Sequence, residues 1–162
     1  MNWPLTQEFA DAFAAEWIEA WNAQNLERIL RHYAQDVVFT SPFVSRFLGR
    51  NDNTVRGAAV LRIYFGRALN SYPDLRFLSQ RVYLGAQSVV IEYQSVLNLM
   101  ATEVMEFNDV GRVCRALAHY ATANETSANL SRRSSHSLPL SRDAGTFVPG
   151  LEQPRSSFLT QV

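Results

Sequence analysis

The sequence predicts one α+β domain in which helices come first and a largely antiparallel sheet follows. Three observations predict it. Apolar residues recur with helical spacing in the first part of the chain, alternate at two-residue steps between about 75 and 120, and become sparse after 120. A chain of 162 residues has the length of one domain with an extension. We therefore expect a compact unit over 1–120 and a tail over 121–162.

The first helix is predicted over 6–23, because large apolar side chains recur there while acids lie between them. Its apolar face consists of Phe9, Phe13, Trp17, Ile18 and Trp21. Thr6 can cap its N-terminus. A second helix is expected after Asn25, with an apolar face that reaches Tyr33 and with His32 on the opposite, exposed side.

A short strand is predicted over 36–43, and a third helix follows Gly57 and ends before Pro73. Four further strands are predicted from runs rich in β-branched and aromatic residues, over 75–84, 88–96, 102–107 and 112–120. Glycine-containing turns between these runs indicate a meander. The predicted order is therefore α-α-β-α-β-β-β-β.

The basic residues exclude several kinds of chemistry. All 15 are arginine, so a lysine Schiff base and a phosphate-loop lysine are ruled out. The 15 acids balance them, and we expect neither nucleic acid nor a membrane surface as a partner. The three histidines and one cysteine lack metal-ligand spacing, and no glycine-rich phosphate loop follows a strand. We expect no metal and no cofactor.

Cys114 is the single cysteine, so it has no partner for an internal disulfide and reads as a buried thiol. This favours a reducing, cytoplasmic location. The first basic side chain is Arg28, which argues against a signal peptide at the N-terminus. No apolar stretch is long enough to span a membrane.

Four segments carry a resemblance to a known family. They read WIEAWNAQNLERILRHYAQDVVFTSPF, VRGAAVLRIYFGRAL, YPDLRF and EVMEFNDVGRVCRALAHY, and together they extend from about Phe9 to Tyr120. Their order and spacing resemble the SnoaL-like branch of the nuclear transport factor 2-like superfamily, which includes polyketide cyclases and lies beside ketosteroid isomerases. The resemblance implies a strongly curved antiparallel sheet wrapped around the N-terminal helices. It implies a cone with an apolar pocket, and a homodimer formed through the outer sheet face.

The resemblance also assigns positions. Where ketosteroid isomerases carry a tyrosine on the first helix, this chain has Trp17, and where they carry the aspartate base it has Ser41 before Pro42. The acid on a late strand corresponds to Glu103. One of three positions therefore matches in chemical type, which argues against steroid isomerase activity and leaves another reaction open.

Glu103 is the main catalytic candidate. Strand alternation places Glu103 with Met105 and Phe107 on one face and Glu106 on the other. If the first face is internal, desolvation raises the pKa of Glu103 and lets it donate a proton. The alternatives are that Glu103 pairs with an arginine, or that a one-residue slip turns it outward and Glu106 inward.

The remaining candidates belong to the pocket wall. We expect that wall to include Trp17, Phe39, Ser41, Tyr64, Tyr93, Met105, Ala116 and Tyr120. Ser41 has the alternative role of a turn serine. His119 is a second catalytic candidate, although alternation favours the outer face for it. The tail reads as disordered, with a partner-binding arm around Arg132-Arg133 as the alternative.

Two functions follow. The first is an enzyme that isomerises, cyclises, dehydrates or hydrolyses a small hydrophobic molecule by acid–base chemistry without a cofactor. The second is a non-catalytic ligand-binding or dimerisation module of the same fold. An open pocket with an unpaired Glu103 favours the enzyme, and a closed, packed cone favours the module.

Overall fold

A computed structural model describes residues 5–121, apart from the side chain of Gln80. The tail predicted over 121–162 and its arm around Arg132-Arg133 lie outside these residues, except for Ala121.

The described residues form four helices and six strands, with a short 3₁₀ turn at Val96–Asn98. Helices precede the meander, so the predicted α+β class is confirmed. No described helix has the length and apolar character needed to cross a membrane. In chain order the elements are α1 (Gln7–Asn22), α2 (Leu26–Leu30), β1 (Tyr33–Thr40), α3 (Val44–Leu48), β2 (Thr54–Arg56), α4 (Ala58–Ser71), β3 (Leu78–Leu84), β4 (Ser88–Gln94), β5 (Met100–Phe107) and β6 (Val113–Tyr120).

The second helix is shorter than predicted. Asn25 caps it by accepting a hydrogen bond from the Arg28 amide at 3.0 Å, but the helix ends at Leu30. Tyr33 lies opposite Val113 in the sheet and begins β1, so its assignment to the helical face is wrong. Pairing across the sheet has overridden a local pattern that suited one more helical turn. The structure also adds α3 and β2, which are too short to show a clear period.

The sheet is curved and open, with the strand order β2-β1-β6-β5-β4-β3. From β3 to β6 every neighbouring pair is antiparallel. One pair departs from the predicted antiparallel sheet, because β1 runs parallel to β6. No hairpin joins these two strands, so turn geometry does not impose opposite directions on them.

Helices α1 and α4 lie against the inner face of the sheet. From α1, Trp17 contacts Tyr93 of β4, with ring centroids 5.4 Å apart. Trp21 contacts Phe65 of α4 at 4.8 Å. The Asn22 side chain accepts a hydrogen bond from the Phe77 amide at 2.6 Å and so fixes the end of α1 to the chain entering β3.

A glycine sets the direction in which α4 leaves β2. Gly57 has φ 83° and ψ 147°, a conformation that is open essentially to glycine alone. Its amide donates to the Val37 carbonyl at 2.8 Å, and its carbonyl accepts from the Leu61 amide at 3.0 Å. The start of α4 is thereby held against β1, and Tyr64 is directed into the interior.

Candidate functional site

An aromatic cavity lies between α1, α4 and the inner face of the sheet. Its volume is about 50 Å³. Because roughly 10–15 Å³ suffices for one water molecule, the cavity has room for a few waters. Among the described residues, its lining holds one carboxyl group and no cation. The aromatic part of the lining consists of Trp17, Trp21, Phe39, Phe43, Phe47, Tyr64, Phe65, Tyr72, Phe77, Tyr93 and Tyr120.

The carboxyl group belongs to Glu103. Glu103 is 3% exposed, and its Oε2 has no hydrogen-bond partner among the described residues. Burial alone raises the pKa of Glu103 to about 8. A buried polar group is normally hydrogen-bonded, because leaving it unpaired costs free energy. Glu103 is therefore a neutral acid at neutral pH, with an unused oxygen at the cavity.

The register of β5 resolves the alternatives for Glu103. It lies opposite Ile91 on β4 and Ala118 on β6, and both neighbours are buried. Glu106 lies on the outer face, where it pairs with Arg115 at 3.3 Å. No ion pair of residues 5–121 includes Glu103. The predicted inward orientation of Glu103 is therefore the one observed.

Four phenols surround the acid. Burial is the main cause that raises their pKa values, and the nearby Glu103 carboxyl raises them further. At neutral pH they keep their protons and can donate hydrogen bonds, but they cannot act as bases. The four are Tyr33, Tyr64, Tyr93 and Tyr120.

Two buried hydrogen bonds fix side chains around the cavity. The Trp17 indole Nε1–H donates to Tyr33 Oη at 3.0 Å. The Tyr64 hydroxyl donates to Ser41 Oγ at 3.2 Å, and this oxygen also accepts from the Phe43 amide at 3.2 Å. Trp17 is therefore anchored to β1. Ser41 is held by its neighbours and cannot serve as a base unaided.

Six of the predicted site residues meet at the cavity, and three predicted wall residues lie behind it. Ser41, Met105 and Ala116 are fully buried and do not line it. Ala116 lies opposite Phe39, whose ring extends further inward than the alanine methyl group. The six that line the cavity are Trp17, Phe39, Tyr64, Tyr93, Glu103 and Tyr120.

His32 and His119 lie away from the cavity. His119 is exposed on the outer sheet face, opposite Thr102, where alternation favoured it. His32 was expected to be exposed, but its side chain is 15% exposed, so that prediction is wrong. It follows the last turn of α2, where its ring packs on Phe13 at 5.1 Å and contacts Glu16. Burial lowers the His32 pKa, although Glu16 opposes that effect.

Sequence reasoning missed two parts of the site. Tyr33 was assigned to a helix, because the polar, exposed Gln35 lies between it and Val37 and interrupts the alternation that would mark a strand. The wall formed by Ser95 and Val96 lies in a turn, where no period marks it. The described residues hold no group of three or more His, Cys, Asp or Glu side chains that could bind a metal ion.

The curved, open sheet and the helices that it encloses match the fold of the nuclear transport factor 2-like superfamily. The sequence pattern of one family within it, the SnoaL-like domain, matches residues 14–124, which is more than half of the chain. The chain belongs to this family. No functionally curated protein matches it.

Solved structures resemble the chain closely enough to compare folds. A SnoaL-like protein of unknown function from Burkholderia thailandensis is 40% identical, with a TM-score of 0.71, over 74% of this chain and all of that one. A steroid delta-isomerase from Pseudomonas aeruginosa is 22% identical, with a TM-score of 0.54, over 83% and 96% of the two chains. An epoxide hydrolase/cyclase-like enzyme of pyran ring formation in salinomycin is 14% identical, with a TM-score of 0.57, over 72% and 93%. The last two show the fold alone.

Proposed function

We propose that the protein is an enzyme that performs cofactor-free acid–base chemistry on a small, uncharged, hydrophobic molecule, with Glu103 as the acid. The observation that carries this proposal is the buried Glu103 carboxyl with an unpaired oxygen at an aromatic cavity. With a pKa of about 8, about nine-tenths of this group is protonated at pH 7. It therefore combines a transferable proton with a pKa near the working pH.

The lining favours an uncharged substrate. No cationic side chain of residues 5–121 lines the cavity, so a carboxylate or phosphate would lose its hydration there without gaining a partner. A carbonyl, hydroxyl or epoxide oxygen can accept the Glu103 proton. A nearby phenol can donate a further hydrogen bond to a carbonyl or epoxide oxygen while negative charge develops on it, before the proton is fully transferred. The carboxylate left behind can then take a proton from the same substrate or, in a hydrolysis, from the attacking water. This sequence suits isomerisation, cyclisation, dehydration or hydrolysis.

A non-catalytic ligand-binding module is the second candidate. The observation in its favour is the small cavity, well below the 300–1,000 Å³ of ordinary ligand sites. Trp17 and Ser41 also occupy positions where the resemblance implies a catalytic tyrosine and aspartate. In this alternative, the unpaired Glu103 oxygen binds a ligand hydroxyl and transfers no proton.

A matched pair of variants separates these functions. Glu103→Gln keeps the shape and removes the proton, whereas Glu106→Gln makes the same change on the outer face. Lactones, steroids and aromatic polyketides are first screened for a rise in the unfolding temperature, and binders are then assayed for turnover. We expect Glu103→Gln to lower kcat at least about a hundredfold and Glu106→Gln to leave it unchanged. Full turnover by Glu103→Gln would overturn the catalytic assignment.

We propose that the outer sheet face forms a homodimer. Its central row runs across four strands and is apolar, with Tyr83, Val90, Val104 and Leu117 in register. A unit of about 120 residues buries roughly two-thirds of its surface, so covering this row would stabilise it. Val104→Asp should shift sedimentation to the monomer, while Val110→Asp, in the turn after β5, should not. A wild-type protein that is monomeric at all concentrations would refute the dimer.

Location and other partners are proposed from composition alone. The single Cys114 favours a reducing, cytoplasmic compartment. Balanced charge leaves nucleic acids and anionic membranes without an electrostatic attraction to the chain.

A further inference from the structure

A larger groove lies on the other side of one wall of the Glu103 cavity. The groove has a volume of about 510 Å³ and is open to solvent. Four residues line both spaces and form the wall between them: Tyr72, Leu75, Ser95 and Val96. The cavity alone is too small for most ligands, whereas the cavity and groove together reach the usual size of a binding site.

One part of this wall has an unfavourable backbone. The turn from Val96 to Leu99 is closed by a hydrogen bond from the Leu99 amide to the Val96 carbonyl at 3.2 Å. Leu97 and Asn98, at its centre, both have φ 58°. Such turns favour Asn and Gly at these positions, and a leucine here is strained.

The exposure of the Leu97 side chain to water is also unfavourable. Leu97 is 75% exposed, and Leu78, which also lines the groove, is 47% exposed. Leu97 therefore combines an unfavourable backbone conformation with an exposed apolar side chain. Residues that depart from local preferences in this way concentrate at ligand-contacting sites. A bound apolar group would cover Leu97 and offset the second cost.

We propose that the groove is the outer half of the binding site and that Leu97 contacts the hydrophobic chain of an elongated ligand. This rests on the proposed function, because the uncharged head of that ligand occupies the cavity beside Glu103. The hydrophobic chain of the ligand passes from the cavity into the groove beside Val96. The strained turn from Val96 to Leu99 moves to open this passage.

The charged side chains that line the groove are consistent with a ligand whose hydrophobic chain carries no charge. Asp74 and Arg76 both line it, and neither takes part in an ion pair among residues 5–121. Their opposite charges cancel, so the groove presents no net attraction for an anionic or cationic tail. Its exposed leucines offer apolar contact instead.

A homologous series of probes tests the groove. Phenol, 4-butylphenol and 4-hexylphenol share one head and differ only in chain length, and their Kd values are measured by calorimetry at pH 7. A fully buried methylene lowers Kd about fourfold, so a partly covered chain should lower it about twofold per carbon. Leu97→Asn removes the apolar contact and keeps a residue that tolerates positive φ.

We expect Leu97→Asn to weaken 4-hexylphenol binding about tenfold and to leave phenol binding unchanged. Val110→Asn is the matched control, because Val110 is 68% exposed in the turn after β5 and does not line the groove. It should leave the whole series unchanged.

The outcomes separate this inference from the proposed function. Equal dependence on chain length in Leu97→Asn and the wild type would overturn the groove, even if phenol binds the cavity. A 4-hexylphenol affinity that depends on Leu97, without any phenol binding, would support the groove and contradict the proposed site at Glu103. Failure of every probe to bind would overturn both.

Discussion

Replacing Glu103 by glutamine should change how the stability of the protein depends on pH. Glutamine has nearly the same shape and cannot ionise, so it removes the cost of a buried charge. Because Glu103 is 3% exposed and its Oε2 has no partner within residues 5–121, that cost falls on the folded state of the wild type. The free energy of unfolding of Glu103→Gln should therefore exceed that of the wild type increasingly as pH rises.

The size follows from the Glu103 pKa, which burial raises from 4.5 to about 8. Between these values the folded wild type holds a proton that the unfolded chain has lost, so its stability falls as pH rises. Each unit of pKa shift corresponds to 1.36 kcal/mol. Between pH 5 and pH 7 the advantage of the variant should grow by about 2.5 kcal/mol, and it should level off above the folded pKa.

Urea unfolding of both proteins at pH 5, 6, 7 and 8 measures this difference directly. Other titrating groups, including His32, are common to both proteins and cancel. Glu106→Gln is the control, because it makes the same substitution on the outer face, where the carboxyl pairs with Arg115. A constant gap between wild type and Glu103→Gln across this range would refute a buried, neutral Glu103.

Three further predictions concern the frame of the site, and the same unfolding assay measures each. Trp17→Phe and Tyr33→Phe, alone and combined, should show a coupling of about 1 kcal/mol from their hydrogen bond, whereas additivity would mean that the bond contributes nothing. Ser41→Ala removes the acceptor of the Tyr64 hydroxyl and should cost about 1–2 kcal/mol; an unchanged stability would show that this hydroxyl finds another partner. Gly57→Ala should cost at least about 1 kcal/mol because of its positive φ, and a neutral effect would contradict the backbone conformation.

The inward orientation of Glu103 could be predicted from the sequence, because buried and less buried residues alternate along the whole of β5. Glu103, Met105 and Phe107 are all buried, and Glu106 is on the other face, as a two-residue period requires. One feature of β1 escaped the same reasoning. Tyr33 begins the strand just after a five-residue helix, and the register of β1 shifts between Tyr33 and Val38. The exposed Gln35 in this irregular part interrupts the two-residue alternation that would mark a strand.

The shape of the cavity could not be predicted from periodicity. Ser95 and Val96 reach it from a turn, and their position depends on pairing between β4 and β5. Ala116 is on the same face of the sheet as the lining residues, but it lies behind Phe39 because its side chain is shorter. Assigning residues to a face of the sheet does not account for side-chain length. Cavity volume depends on such packing among segments that are distant in sequence.

The most direct test of the central claim is a titration of the Glu103 carboxyl carbon by ¹³C NMR, with Glu103→Gln used to assign the resonance. An isolated, buried acid should titrate with a midpoint near 8, the pKa to which burial raises it. It should remain protonated at pH 6, where exposed glutamates are fully ionised. A midpoint between 4 and 5, the ordinary range for glutamate, would contradict the account, because Glu103 would then have no proton to donate at neutral pH.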